Sequence, residues 1–408
     1  MSHSRSTDHP LSRRHFLGSI AATGALTAVR ADLVGGTTRN SQIAIGVIGC
    51  GGRGRFIADL LARHGGYAIA GTADYFPERA AAVGGKHGVP SARQFSGLSG
   101  YRRLLELPLD AVAIETPPYF HPQQAAEAVA AGRHVYLAKP VAVDVPGCRS
   151  IEASAASARG RLCFLVDFQT RANEFFVEAV RRVRSGALGR IAFGEATYHA
   201  EDPFLEQAEH ARAGTAEGRL RAWGLSRALS GDIITEQNIH TLDVASWVMA
   251  TPPVEAFGTG GRKYRDVGDC FDTFSVVYRY PGEVGVTFSS RQFKGHGTRP
   301  EGIRTRFFGT DGAFEAEYGG QVLVRGSQFY RGGETPTIYE QGAVANIATF
   351  HAAIAKKDFS NPTVAESVRS NLVTILGRTA AYAQRAVSWD ALLKDDERLT
   401  PDLSGLKD

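Results

Sequence analysis

Regular patterning begins at Ile43. Residues 43–48 form an unbroken apolar run, as expected of a strand buried on both faces of a parallel sheet. Phe56, Ile57, Leu60 and Leu61 follow at helical spacing, and residues 67–72 are the next apolar stretch. The alternation continues: 109–115 (LDAVAIE), 134–137 and 162–166 read as strands, while 123–131 and 147–159 read as helices. Strand and helix in turn predict a parallel sheet covered by helices on both faces. After Arg171 the pattern changes. Residues 173–184 read as a helix, and strand candidates then follow at 191–199, 254–260, 273–280, 284–291, 303–309 and 313–318. Tyr280-Pro281-Gly282-Glu283 supplies turn chemistry between two of them. Strands joined without helices predict a mostly antiparallel open sheet. Helices over 344–357 and 364–385 close the pattern. With no internal repeat and no low-complexity linker, the domain boundary is the change of pattern at 166–171.

The first strand runs into Gly49-Cys50-Gly51-Gly52-Arg53-Gly54, a G-x-G-x-x-G spacing placed between a strand and a helix. The first glycine permits the tight turn, the second lets backbone approach a pyrophosphate, and the third lets helix pack on strand. Free N–H groups at the helix start then face the phosphates. Asp74 ends the second strand, twenty residues past Gly54. An acid there bonds a ribose 2′-hydroxyl and favours NAD over NADP. Arg79, five residues on, is a competing phosphate partner. The expected fold is therefore α/β: a Rossmann dinucleotide-binding domain over 42–166, an α/β substrate domain with an open, mostly antiparallel sheet over 167–393, and a tail over 394–408.

The start of the chain reads as an address. Ser12-Arg13-Arg14-His15-Phe16-Leu17 is a twin-arginine pattern, followed by a mildly apolar run with no acid between Asp8 and Asp32. The run is too short to span a bilayer, which takes about 20 apolar residues. A twin-arginine signal over 1–31, cleaved after Ala31, is expected, and with it a periplasmic or otherwise exported protein. The whole chain carries a net charge of +4. Arg5, Arg13, Arg14 and Arg30 against Asp8 account for most of it, so charge gives no argument for a nucleic-acid or anionic-membrane partner. Cys50, Cys148, Cys163 and Cys270 show no metal-ligand spacing, and free thiols are expected.

Further along, Thr116-Pro117-x-x-x-His121, Ala138-Lys139-Pro140 and Glu236-x-x-x-His240 follow the glycine loop in order. Together they resemble the glucose–fructose oxidoreductase and inositol dehydrogenase family (Gfo/Idh/MocA), over about 42–393. Residues 139–144 and 231–240 resemble its exported branch. The resemblance places Lys139 beside the nicotinamide and the reacting carbon, and His240 beside the substrate. Ala138 departs from the family, which usually has glutamate there. Pro140 is expected to follow a cis bond. Histidine accepts a proton from a hydroxyl at neutral pH. Glu236, four residues before His240, faces the same side if both lie in one helix, and either orients His240 or contacts substrate. Zinc at this pair would need a third ligand, and no spacing supplies one.

Thr116, Pro117 and His121 are implied to cover the cofactor, although His121 equally suits a helix cap. Gln169 and Arg171 lie where the family enters its second domain. Arg171 suits either a sugar hydroxyl or a domain-bridging salt link. Tyr198 and Trp223 suit a sugar floor or ordinary core. The implied activity is NAD-dependent hydride transfer on a sugar or sugar-like polyol by a homo-oligomer associating through its C-terminal sheet. A redox-neutral NAD-dependent glycosidase and a non-catalytic dinucleotide-binding protein are the alternatives.

Overall fold

The computed structural model describes residues 42–298, 302–360 and 363–408. The twin-arginine pattern lies outside the described residues. Six parallel strands form the first sheet: β1 (Ile43–Ile48), β2 (Tyr67–Asp74), β3 (Gln94–Ser96), β4 (Ala111–Ile114), β5 (His134–Ala138) and β6 (Phe164–Asp167). Their order is β3-β2-β1-β4-β5-β6. Chain direction along the sheet reverses between β1 and β4, and such a switch point opens a ligand crevice at the C-terminal strand ends. Between the strands run helices that include α1 (Gly52–His64), α2 (Pro77–Lys86), α3 (Gly100–Leu105), α4 (His121–Ala130) and α5 (Val145–Ala158). Asp144 starts α5 by accepting the Gly147 N–H at 2.7 Å, a side-chain N-cap that satisfies one of the helix's unpaired donors.

The second sheet has nine strands: β7 (Ile191–Ala200), β8 (Glu255–Gly261), β9 (Thr273–Tyr280), β10 (Val284–Gln292), β11 (Gly302–Gly309), β12 (Gly312–Glu317), β13 (Gln321–Gly326), β14 (Tyr330–Glu334) and β15 (Val387–Ser388). Their order is β14-β13-β12-β11-β7-β10-β9-β8-β15. Among the described residues, only its β10–β7 pair is parallel. β9 alternates buried and exposed positions along its length, so the sheet has one face in the core and one facing out. The inner face packs on α8 (Ile239–Met249) and α10 (Thr363–Ala383). The outer face exposes Phe193, stacked on Phe308 at 4.7 Å, together with Phe257 and Val277.

Two features depart from the sequence reading. α9 (Ile338–Lys356) begins six residues before its predicted start and packs on the first sheet. Its Ala343, Ile347 and Phe350 join Ile45, Ile57 and Leu61 in one apolar cluster. The polypeptide after β14 therefore completes the Rossmann core. The residues assigned to a tail also pack down. The Leu399 N–H donates to Asp144 Oδ2 at 2.9 Å and the Leu98 N–H to the Lys407 carbonyl at 3.1 Å.

Candidate active site

The glycine loop is shaped by two contacts that admit no side chain. Gly49 has φ of +88°, and a Cβ there would lie 2.7 Å from the backbone of Glu115 and Thr116. A Cβ on Gly54 would lie 1.8 Å from the Gly49 carbonyl oxygen. Gly52, the first residue of α1, has open space in front of it, and α1 has no side-chain cap. Its leading N–H groups thus face an open cavity at the strand ends. Gly49, Gly51, Gly52, Arg53, Asp74, Thr116 and Pro117 all line this cavity, which fits a dinucleotide on the chemistry of its donors. Asp74 accepts the Cys50 N–H at 2.7 Å and the Phe76 N–H at 2.9 Å, fixing its carboxylate at the mouth of the loop. Each oxygen retains a lone pair for a ribose hydroxyl. Arg79 stacks on Phe76 and reaches toward Gly51.

Past the cavity, Lys139 follows β5 through a cis Lys139–Pro140 bond. Its Nζ donates to the Glu236 carbonyl at 2.5 Å and to Glu236 Oε1 at 3.1 Å. Glu236 therefore holds Lys139. It is not bonded to His240, and the two do not share a helix: Glu236 ends a separate turn, α7 (Ile233–Glu236), and His240 lies in the first turn of α8. The reason is local. Gly231 and Asp232 both have positive φ. Asp232 Oδ1 accepts the Ile233 N–H at 2.6 Å, and its Oδ2 accepts the Tyr382 hydroxyl at 2.6 Å. The chain is pinned into a tight turn that stops before α8. Where Ala138 leaves the lysine without the acid usual at that position, the acid comes from α7.

His240 is half-buried, with Nδ1 shielded from solvent and unpartnered, and its ring packs against Tyr318 at 5.1 Å. Burial, then the nearby charges of Lys139 and Arg53, push its pKa well down. The imidazole is thus neutral at neutral pH, with a nitrogen free to act as acceptor. Tyr198 donates to Gln237 Oε1 at 2.7 Å and is buried near Glu236 and Tyr318. Gln169 is buried beside Tyr318, whose hydroxyl is 3.5 Å from its Oε1.

Arg53, His121 and Trp223 take other places than the sequence suggests, and Arg171 takes the salt link that it left open. Arg53 leaves the phosphate side of the loop to pair with Asp167, and its guanidinium lies 4.7 Å from the Tyr339 ring centre. His121 is buried between two loops, with Nδ1 2.8 Å from the Pro140 carbonyl and Nε2 2.7 Å from that of Thr116. Two acceptors would suit a charged ring, but burial outweighs them and pushes the pKa down to about 4. The neutral ring donates to one carbonyl at a time. Arg171 pairs with Asp243 at 2.8 Å and with Glu366, a link between helices that leaves no open donor fork for a sugar. Trp223 lies at the dinucleotide cavity with Leu220, packed on Phe204 at 5.6 Å, and not in the His240 cluster. Sequence reasoning missed Glu115, Asp167, Gln237 and Tyr318. Of these Glu115 and Asp167 carried a signal, each as an acid closing an apolar run. Among the described residues, no group of three or more His, Cys, Asp and Glu is placed to hold a metal.

Comparison with known proteins gives the family. Residues 43–166 match the model of an oxidoreductase family with an NAD-binding Rossmann fold. Residues 176–315 match the GFO/IDH/MocA C-terminal domain. Inositol 2-dehydrogenase of Rhizobium meliloti is 22% identical over 280 residues, 67% of this chain and 76% of that protein. A glycosyl hydrolase family 109 protein of Shewanella sp. is 28% identical over 217 residues, 47% and 46% of the two chains. The crystal structure of aldose-aldose oxidoreductase from Caulobacter crescentus covers 85% of this chain and 99% of its own, with a TM-score of 0.68 at 20% identity. With both domains matched in order and the dinucleotide cradle in place, this chain belongs to the Gfo/Idh/MocA family of NAD-binding oxidoreductases.

Proposed function

We propose that this protein oxidises a hydroxyl of a sugar or sugar-like polyol and that its NAD stays bound through the cycle. The observation that carries the reading is His240: half-buried, neutral and unpartnered at a shielded Nδ1, within electrostatic reach of a lysine that Glu236 fixes in place. Bound NAD supplies the hydride acceptor. His240 takes the hydroxyl proton. Lys139, aimed by Glu236, stabilises negative charge developing on the substrate oxygen. Tyr198, Gln237 and Tyr318 form the adjoining polar wall. Gly49, Gly51, Gly52, Asp74, Thr116 and Pro117 would hold the dinucleotide. His121 and Pro140 keep the loops after β4 and β5 together.

Bound NAD also suits an exported enzyme, because diffusible NAD and its reoxidising partners belong to the cytoplasm. The twin-arginine reading of residues 1–31 motivates that placement, and redox-neutral use of one hydride follows from it. The family 109 relative favours a second reading, oxidation followed by elimination of a glycosidic bond and return of the hydride. The exposed apolar strip on the outer face of the second sheet, with Phe193, Phe257 and Val277, supports association of copies through that sheet. Native mass spectrometry of the purified protein, followed by a sugar screen read by NADH absorbance, tests the reading. Bound NAD with sugar turnover and no accumulating NADH is expected. Release of free sugar from a glycoside moves the assignment to the glycosidase reading. Absence of any bound or bindable NAD overturns both.

A further inference from the structure

Glu115 is the first residue past β4, and the scheme above gives it no role. Its side chain is shielded from solvent, and neither carboxyl oxygen has a hydrogen-bond partner. The nearest cation, Arg53 on α1, stands 3.7 Å from Oε2 and is committed to Asp167 at the end of β6. Asp167 itself, Lys139 after β5 and the buried Tyr136 hydroxyl are the other titratable groups facing it. An ionised carboxylate without donors is costly to bury. Burial accordingly raises the Glu115 pKa to about 8, and the ligand-free protein holds a neutral acid at neutral pH. Glu115 also lines the dinucleotide cavity. Ile114 pairs in register with Leu137, so Glu115 comes level with Ala138, the residue before Lys139. It stands where the dinucleotide cavity meets the Lys139 and His240 cluster.

We propose that Glu115 is the charge partner of the cofactor's nicotinamide ring, ionised against the oxidised cofactor and protonated against the reduced one. The inference rests on the NAD-dependent reading above. The oxidised ring is a cation and the reduced ring is neutral. In a site closed to water, a cation nearby favours carboxylate over acid, and its loss reverses the preference. Oxidation of a hydroxyl breaks one C–H and one O–H bond and forms C=O. The hydride passes to the ring; the hydroxyl proton, taken first by His240, ends on the Glu115 carboxylate, which becomes the acid and leaves the histidine neutral. No net proton leaves the protein, and both are present for return to a second substrate.

The midpoint potential of the NAD-loaded protein, measured against pH without any sugar, tests this. The free couple takes up one proton per two electrons. The wild-type protein is expected to take up two near neutral pH, so its potential falls twice as steeply with pH. Glu115→Gln is expected to restore the slope of the free couple while NAD stays bound, and Glu115→Asp to keep the doubled slope. A wild-type slope equal to that of the free couple overturns the proposal without recourse to any variant. A doubled slope that survives in Glu115→Gln overturns it as well. A doubled slope in a protein that oxidises no sugar would sink the substrate reading and leave the role of Glu115 standing.

Discussion

At the scale of a residue, binding and chemistry separate at His240. It does not line the dinucleotide cavity, so His240→Ala should leave NAD affinity by calorimetry nearly unchanged. Single-turnover hydride transfer should fall by about 10²–10⁴-fold, the usual contribution of a general base. An unchanged rate would make the histidine structural. Buried titrating groups also set the pH response of stability. His121 and His240 have depressed pKa values, whereas the unfolded chain takes up protons near pH 6.5. The unfolded state therefore binds more protons below that value, and stability is lost as pH falls from about 6.5. His121 alone accounts for about 3 kcal/mol by pH 4. Glu115 acts with the opposite sign. Its raised pKa means that stability is lost as pH climbs from the ordinary carboxyl value toward about 8. Thermal melts of the ligand-free protein should show both limbs, and Glu115→Gln should flatten only the alkaline one.

At the scale of an element, the turn that carries Glu236 is governed by Asp232. Its carboxylate accepts from Ile233, Tyr382 and Phe271, while Arg378 donates to the Gly231 carbonyl at 2.7 Å. Asp232→Ala leaves those buried donors unpaired, at a cost of about 2–3 kcal/mol, and should lower turnover by loosening the hold on Lys139. A denaturant midpoint equal to wild type would show that the turn stands without it. The turn also marks how far the sequence could be read. Strands such as β9 were legible because one face is wet and one dry, so period-2 alternation was written along them. β13 and β14 were not, because β14 lies at the sheet edge and is broken by Gly332 and Gly333, and β13 offers only three apolar residues, Val322 to Val324, before Arg325 and Gly326. The glycine loop and Lys139 were legible because their chemistry demands particular residues at fixed spacing. The hold of Glu236 on Lys139 was not, because the partners are 97 positions apart and meet only through the turn at Gly231-Asp232. Trp223 was misplaced for a similar reason: residues 201–230 carry little periodicity, and their placement over the cavity is tertiary.

At the scale of the whole molecule, the dinucleotide cavity is roofed by distant chain. Leu220 and Trp223 line it. Leu406 packs with them and with Phe76 and Phe120, Arg219 donates to the Ser404 carbonyl at 2.8 Å, and the Lys407 N–H donates to the Tyr75 hydroxyl at 3.2 Å. A variant lacking residues 400–408 loses the apolar cover of the partly buried Leu406, at most the value for a fully buried leucine, about 1.5–3 kcal/mol. It should release NADH roughly 10–100-fold faster by stopped-flow fluorescence, with the fold retained. An unchanged release rate would show that the roof does not retain the cofactor. The same roof has a meaning in time. The loop that receives the dinucleotide is made early, and the residue that clasps Tyr75 comes 332 positions later. Yet the Rossmann core that carries that loop is closed only when α9 has been made, so a growing chain finishes its cradle and its lid close together and late.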